Sequence, residues 1–313
     1  MIEKYYNGVI EQVAGGIGNV EHNSILVRYS NDFSIWDLES VNHYKDQTDI
    51  FFTCHEFSYN KIAEAYEPYL GLIRQMFHKY CSGTLEEFME ECDVYKLQRP
   101  VFESYFEKGF CERTEQILID EVEYEQERMH SSIVTMLQKL SEICPIVIVL
   151  NRFQLASKST MQLTNRLLQT KNKNIGIVLG VNDVQSIPEF AHEEWDAICE
   201  SMDDRNMVYH IGNAGRNMEP DVMDYYSDYE SDDGYRKLNN LVYFLDFDQA
   251  DHHLSKIERR IKFDNFTISE KKHYQLLLLQ IMVSVLQRDI AKALESCEDL
   301  EKLQDQEKEG AFY

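Results

Sequence analysis

The sequence predicts an α/β fold, a mostly parallel sheet with helices on both faces, followed by an all-α region. Three observations carry this. Short apolar runs alternate with helical patterns over the first two thirds of the chain, which is the signature of strand–helix–strand units. One run, Ile146–Leu150 in PIVIVLNRFQ, is five consecutive apolar residues, the pattern of a strand buried on both faces. After residue 235 only helical periodicity remains.

The elements follow in order. Residues 3–14 read as a short helix, stopped by Gly15, Gly16 and Gly18. A phosphate loop should follow a strand and open a helix. These glycines follow a helix and precede a strand, so they read as a turn. Ser24–Tyr29 is a strand, Ser30–Phe33 a turn, and Ser34–Tyr44 a helix with apolar residues at 35, 38 and 41. Asp49–Cys54 is the second strand. Tyr69–Tyr80 is a helix entered through Pro68, and Thr84 with Glu87 forms a capping box for another. A long helix covers about 114–141, then the strand 146–150, a helix 158–170, a strand Asn174–Leu179, a helix near 191–203 and a strand Met207–Ile211.

Glu219–Asp233 holds seven acids and no base, and reads as a solvated acidic linker. Asp228, Glu230 and Asp232 have partial calcium-loop spacing, but Gly234 falls one position late and no closing Glu follows. The sequence therefore divides into an α/β domain at 1–218, a linker at 219–234 and a helical region at 235–313. In the last, Leu241–Lys262 places Ala250, Leu254, Ile257 and Ile261 on one face. His273–Leu286 and Ile290–Leu303 form a hairpin turning at Arg288-Asp289. Ala250 and Ala293 open similar blocks 43 residues apart, the spacing of helix–turn–helix repeats of the tetratricopeptide kind. Such arrays need about three units, so the chain is expected to continue in a longer protein.

Composition narrows the partners. The net charge of −24, from 31 basic and 55 acidic residues, repels phosphate backbones and anionic lipid. Neither nucleic acid nor membrane is expected. No apolar run approaches the roughly 20 residues of a membrane span, and the first 20 residues lack a signal-peptide pattern. The seven cysteines, at 54, 81, 92, 111, 144, 199 and 297, include no C-x-x-C pair and read as reduced, cytoplasmic and mostly core residues.

The segment 137–169 (LQKLSEICPIVIVLNRFQLASKSTMQLTNRLLQ), the strand NIGIVLGVND and the segment His55–Phe77 together resemble the STAND class of signalling ATPases, in the AAA-like P-loop group. The resemblance covers about residues 3–212. It implies a P-loop nucleotidase scaffold, with NIGIVLGVND as the sensor strand, joined to tetratricopeptide-like helices. Bacterial signalling proteins of this layout often carry a GGDEF diguanylate cyclase output.

The departures from that pattern concern the chemistry. A P-loop needs Gly residues so that backbone N–H groups can wrap phosphate, then Lys and Ser/Thr. The matching turn, YSNDFSIWD at 29–37, has neither Gly nor Lys, and Asp32 and Asp37 repel phosphate. Asn151 and Arg152 stand where the family has two acids, one of which holds Mg²⁺. Ser30, Asn31, Asp32, Ser34, Asn151 and Arg152 are thus degenerate nucleotide-site positions. No catalytic residue, metal or cofactor is expected.

The expected function is a non-catalytic sensor module that takes a protein partner or a covalently linked output domain. The alternatives are residual nucleotide binding, as the N-terminal part of a diguanylate cyclase-type signalling protein, or a pure protein–protein scaffold. His252-His253 lie about 100° apart on a helix and read as a solvated face rather than a metal site. Cys54-His55 face opposite sides of a strand and so form no dyad.

Overall fold

The computed structural model describes residues 2–19, 23–30, 34–58, 61–111, 122–182, 191–203, 207–211, 231–264 and 266–310. Two compact units form. The first holds residues 1–96 and 130–224, the second 97–129 and 225–313.

The first unit is built on a five-stranded, all-parallel sheet in the order β2-β3-β4-β1-β5. Its strands are β1 (Ser24–Tyr29), β2 (Phe51–Glu56), β3 (Ile146–Asn151), β4 (Ile175–Asn182) and β5 (Val208–Ile211). Its helices are α1 (Ile2–Gly15), α2 (Glu39–Lys45), α3 (Tyr69–Tyr80), α4 (Leu85–Glu91), α7 (Lys158–Thr170) and α8 (His192–Asp203). Between them in the chain come α5 (Arg99–Lys108), in the second unit, and α6 (Val122–Ile143), whose residues divide between the units at Met129.

β3 and β4 are buried along their whole length, which is why both are mostly apolar and do not alternate with charged residues. The crossover from β1 to β2 runs one way along the sheet, and those from β2 onward run the other. Right-handed crossovers then put their helices on opposite faces. The contacts agree: α1 packs on α2, β1 and β4, while α7 packs on α8.

α1 runs from the carboxyl edge of the sheet to its amino edge. Tyr6, Val9, Ile10 and Val13 pack on Ile25, Val27, Tyr29, Val147, Val149 and Val178. Two glycines of β4 let it come close. A Cβ on Gly176 would meet Val13 Cγ1 at 2.7 Å, and one on Gly180 would collide with Tyr6 Oη and Asn151 Oδ1. At the far end, Gly18 takes φ +95°, which an L side chain rarely adopts, and its N–H donates to Lys173 O at 2.7 Å. The glycine-rich turn therefore sits at the amino edge of the sheet, away from the strand ends where open α/β sheets bind ligands.

Several boundaries differ from the sequence expectation. The helix expected at 34–44 is a 3₁₀ turn, Ile35–Asp37, capped by Ser34, then a break at Leu38 and the seven-residue α2. The short α5 carries Pro100 at its start and Gly109 in the left-handed conformation at its end. It falls in a stretch assigned no element from sequence. The Thr84–Glu87 capping box is formed as expected. Residues 112–121 and most of the acidic segment lie outside the described residues. Its end, Asp232 and Asp233, forms the first turn of a helix capped by Ser231.

The second unit contains α9 (Asp232–Tyr243), α10 (Phe247–Phe263), α11 (Glu270–Leu286) and α12 (Ile290–Gly310). The single helix expected at 241–262 is broken at Phe244–Asp246. Leu245 adopts φ 68°, and Asp246 N–H donates back to Leu241 O at 2.8 Å. The hairpin turn at Arg288-Asp289 is present, with Arg288 at φ 65°. α9 packs on α10, α10 on α11, and α11 on α12, each helix against the one before it.

Because Gly180 is closed over by Tyr6 and Asn151, Gly180→Ala is expected to lower stability by about 1–3 kcal/mol, the usual range for overpacking. Urea unfolding of the two proteins measures it. An unchanged midpoint would mean that α1 does not sit on β4 as described.

Candidate ligand crevice at the carboxyl ends of the strands

Connections leaving neighbouring strands β1 and β4 depart in opposite directions, to β2 and to β5. This reversal is the switch point where an open parallel sheet forms a ligand crevice. Its floor is made by the last residues of the strands. Tyr29 ends β1 and lies beside Asn182 of β4, and Asn151 ends β3 beside Glu56 of β2.

Gly180 sits between these pairs. Its missing side chain lets Tyr29 reach across β4, and Tyr29 Oη donates to Asn151 Oδ1 at 2.7 Å. Asn151 is fully buried and its amide donates on to Glu56 Oε1 at 3.4 Å. Arg152 follows in the left-handed conformation and its Nε lies 3.5 Å from the same Glu56 oxygen. The two positions that depart from the acidic pattern therefore work together. Asn151 accepts from a tyrosine hydroxyl and donates to a carboxylate, and Arg152 balances that carboxylate. An Asp at 151 could accept but not donate. Gln154 and Asn182 close the next position with reciprocal bonds to side chain and main chain, both at 3.4 Å.

α1 closes the crevice from above. Tyr6 packs edge-on against Tyr29, with ring centroids 6.5 Å apart. Burial, then the neighbouring Tyr29, pushes its hydroxyl well above the usual tyrosine range, so it stays neutral. The adjacent Asn7 turns to α2. Asn7 Oδ1 accepts from Ser40 N–H at 3.0 Å and from Ser40 Oγ at 2.6 Å. Main-chain N–H groups in the first turn of a helix are the donors that a phosphate loop offers to its ligand. Here one of them is held by a side chain of the same protein.

The other sequence-derived positions fall as follows. Ser30 is half-buried at the end of β1. Ser34 accepts from Trp36 N–H at 3.3 Å, so its hydroxyl caps a 3₁₀ turn. Asn31 and Asp32 lie outside the described residues. Tyr6, Asn7, Tyr29, Glu56 and Gly180 were not singled out from sequence. Only Gly180 left a local trace, as a glycine interrupting an apolar strand, which often marks close approach of another group.

Cys54 and His55, which precede Glu56 on β2, face opposite sides of the sheet. Cys54 faces α1 with the core cluster, whereas His55 packs against Phe57 and lies 3.5 Å from Glu67. Burial pushes the Cys54 thiol up to about 11 and the Cys92 thiol up to about 12. Burial, helped by Lys61, holds His55 down at about 4. His55 is thus neutral at pH 7 and meets Glu67 as a neutral ring. All seven cysteines are free. His253 is 2% exposed, which corrects the expectation of a solvated pair with His252. No group of three or more metal-ligating side chains occurs among the described residues, and no described helix is long and apolar enough to cross a membrane.

No family model matches this chain, and no curated protein or solved structure matches it.

Asn151→Asp should cost about 1–3 kcal/mol at pH 7, since it breaks the bond to Glu56 and sets a buried carboxylate against a half-buried one. The loss should shrink at pH 5, where one carboxyl takes up a proton. Chemical denaturation at both pH values checks this, and a variant as stable as the parent at pH 7 contradicts the geometry.

His55 supplies an acid sensitivity. Its folded pKa of about 4 lies below the ordinary 6.5. Between those values the unfolded chain binds a proton that the folded chain refuses, so stability falls as pH drops from about 6.5 to about 4, by at most about 3 kcal/mol. His55→Gln should flatten that limb of the stability–pH curve relative to the parent.

Proposed function

We propose that this chain is a non-catalytic regulatory module, in which a degenerate P-loop nucleotidase-like unit is joined to tetratricopeptide-like helices that engage protein partners. The observation that carries this reading is the filling of the strand-end crevice by α1. Tyr6 covers Gly180, Tyr29 and Asn151, and Asn7 takes the Ser40 amide. Three further features support it. The sheet is parallel with β1 inside it, and its switch point lies beside β1. The end of β3 carries an amide bonded on both sides where a metal-binding acid would stand. α2 is too short, at seven residues, to present the long dipolar helix that phosphate sites use.

In this reading phosphoryl transfer is lost, because it depends on positioning and charge stabilisation that these residues do not supply. The scaffold is kept for its shape, and the module passes a binding event to an output domain. The seven free cysteines suit a reducing, cytoplasmic setting. A plain protein–protein scaffold is the second reading, favoured by the same filled crevice. It differs in predicting no ligand-dependent change in the first unit.

The test is thermal unfolding of the chain with and without ATP, ADP or GTP plus Mg²⁺. A ligand at 100 times its Kd adds about 2.7 kcal/mol, an easily measured rise in Tm. No shift is expected. A Mg²⁺-dependent rise would overturn the proposal and return the chain to the nucleotide binders.

A further inference from the structure

The α11–α12 hairpin carries its polarity on the unexpected side. Within Leu276–Leu286 the two polar residues, Gln280 and Ser284, are both buried, at 2% and 0% exposure. They face α10, where the Gln280 amide donates to Asp251 Oδ1 at 2.8 Å. On α12, Lys292 binds Asp251 at 2.6 Å and Ser255 at 2.7 Å, and so marks the side of that helix nearest α10. At 100° per residue, the opposite side of α11 holds Tyr274, Leu278 and Val285, and the opposite side of α12 holds Ile290 and Leu294. Leu278, Ile290 and Leu294 are 44%, 57% and 60% exposed. The outer side of this hairpin therefore carries a row of exposed apolar residues, while the side facing α10 buries Leu276, Leu277 and Val283 beside Gln280 and Ser284. A helix apolar on all sides is a helix meant to be covered on all sides.

We propose that this face is covered by the same face of a second copy of the chain, forming a two-fold symmetric four-helix bundle. Two arguments select this occupant. The first is charge. Lys271, exposed at the start of α11, shares the outer side with Leu278, and Glu298 and Glu301, exposed toward the far end of α12, flank Leu294. A two-fold axis along the hairpin sets α11 of one copy antiparallel to α12 of the other, and brings Lys271 within about one helical turn of the level of the partner's Glu301. The face is complementary to itself, as an isologous contact requires.

The second argument is size. α11 has 17 residues. At 1.5 Å per residue it is about 25 Å long, and two helices about 10 Å apart offer a face on the order of 500 Å² in projection. Side-chain relief brings this near the ~800 Å² per partner of a standard stable interface. The packing required is the antiparallel helix pairing that already joins α11 to α12. None of this depends on whether the crevice of the first unit binds a nucleotide.

Sedimentation equilibrium of the full chain over a wide concentration range tests it. A species of twice the 36.9 kDa chain mass is expected. Leu278→Glu with Leu294→Glu should yield monomer with unchanged helical circular dichroism. Should that variant fail to fold, Lys271→Glu decides alone. It should weaken dimerisation at least tenfold, and adding Glu301→Lys should restore it. A parent chain that is monomeric throughout overturns the proposal. So does a dimer that neither set of substitutions weakens.

Discussion

The hydrogen bond from Tyr29 to Asn151 is the contact around which the first unit is arranged. It joins the last residue of β1 to the last residue of β3 across an intervening strand. A tyrosine spans that gap only because Gly180 has no side chain, and the same vacancy admits the ring of Tyr6 from above. Four residues from four elements are thus mutually required. Within this group Asn151 is at a position where only an amide serves, since it must accept from Tyr29 and donate toward Glu56. A buried acid there would sit next to Glu56, the carboxylate that Arg152 already engages.

This arrangement gives a physical account of how the chain itself covers part of the carboxyl edge of its sheet. Open parallel sheets leave their carboxyl ends uncovered, with polar main-chain groups facing outward. In this chain several of them find protein partners: Phe57 N–H donates to Asn151 O, and the Gln154 side chain bonds both main-chain groups of Asn182. A tyrosine covers the centre of the crevice and an asparagine satisfies the helix that follows β1. A buried polar group with partners costs little, whereas a vacant one costs about 1–3 kcal/mol. Opening the crevice to a ligand would therefore require α1 to leave, and with it the core formed by Val9, Ile10 and Val13.

The helical unit is held by a different balance. Its helices meet on apolar stripes, and charge fixes their register at the edges. Lys262 of α10 reaches Glu258 at 3.1 Å, and Glu295 and Asp299 of α12 at 3.2 and 2.8 Å. Partial burial would lower its pKa, but the bonds to Asp299, Glu258 and Glu295 outweigh this and hold it above the ordinary lysine range. In a chain of net charge −24, a lysine shared by three acids relieves repulsion as much as it adds attraction.

Local pattern determined much of this protein. Strand β1, helix α3, helix α7 and the capping box at Thr84 follow from periodicity and cap chemistry over a dozen residues, and all lie where the sequence places them. The identities of Asn151 and Arg152 were equally legible, because strand ends are local features. Where the chain breaks was less so. Leu38 and Leu245 interrupt helices that periodicity alone would continue, since the break is set by packing and a left-handed residue rather than by Gly or Pro. The closure of the crevice was not legible at all. Tyr6 and Asn7 are 145 and 33 residues from Asn151 and Ser40, and look like ordinary positions of a short amphipathic helix. Only the tertiary structure brings α1 over β4, because the fit depends on a side chain missing from Gly180, far along the chain.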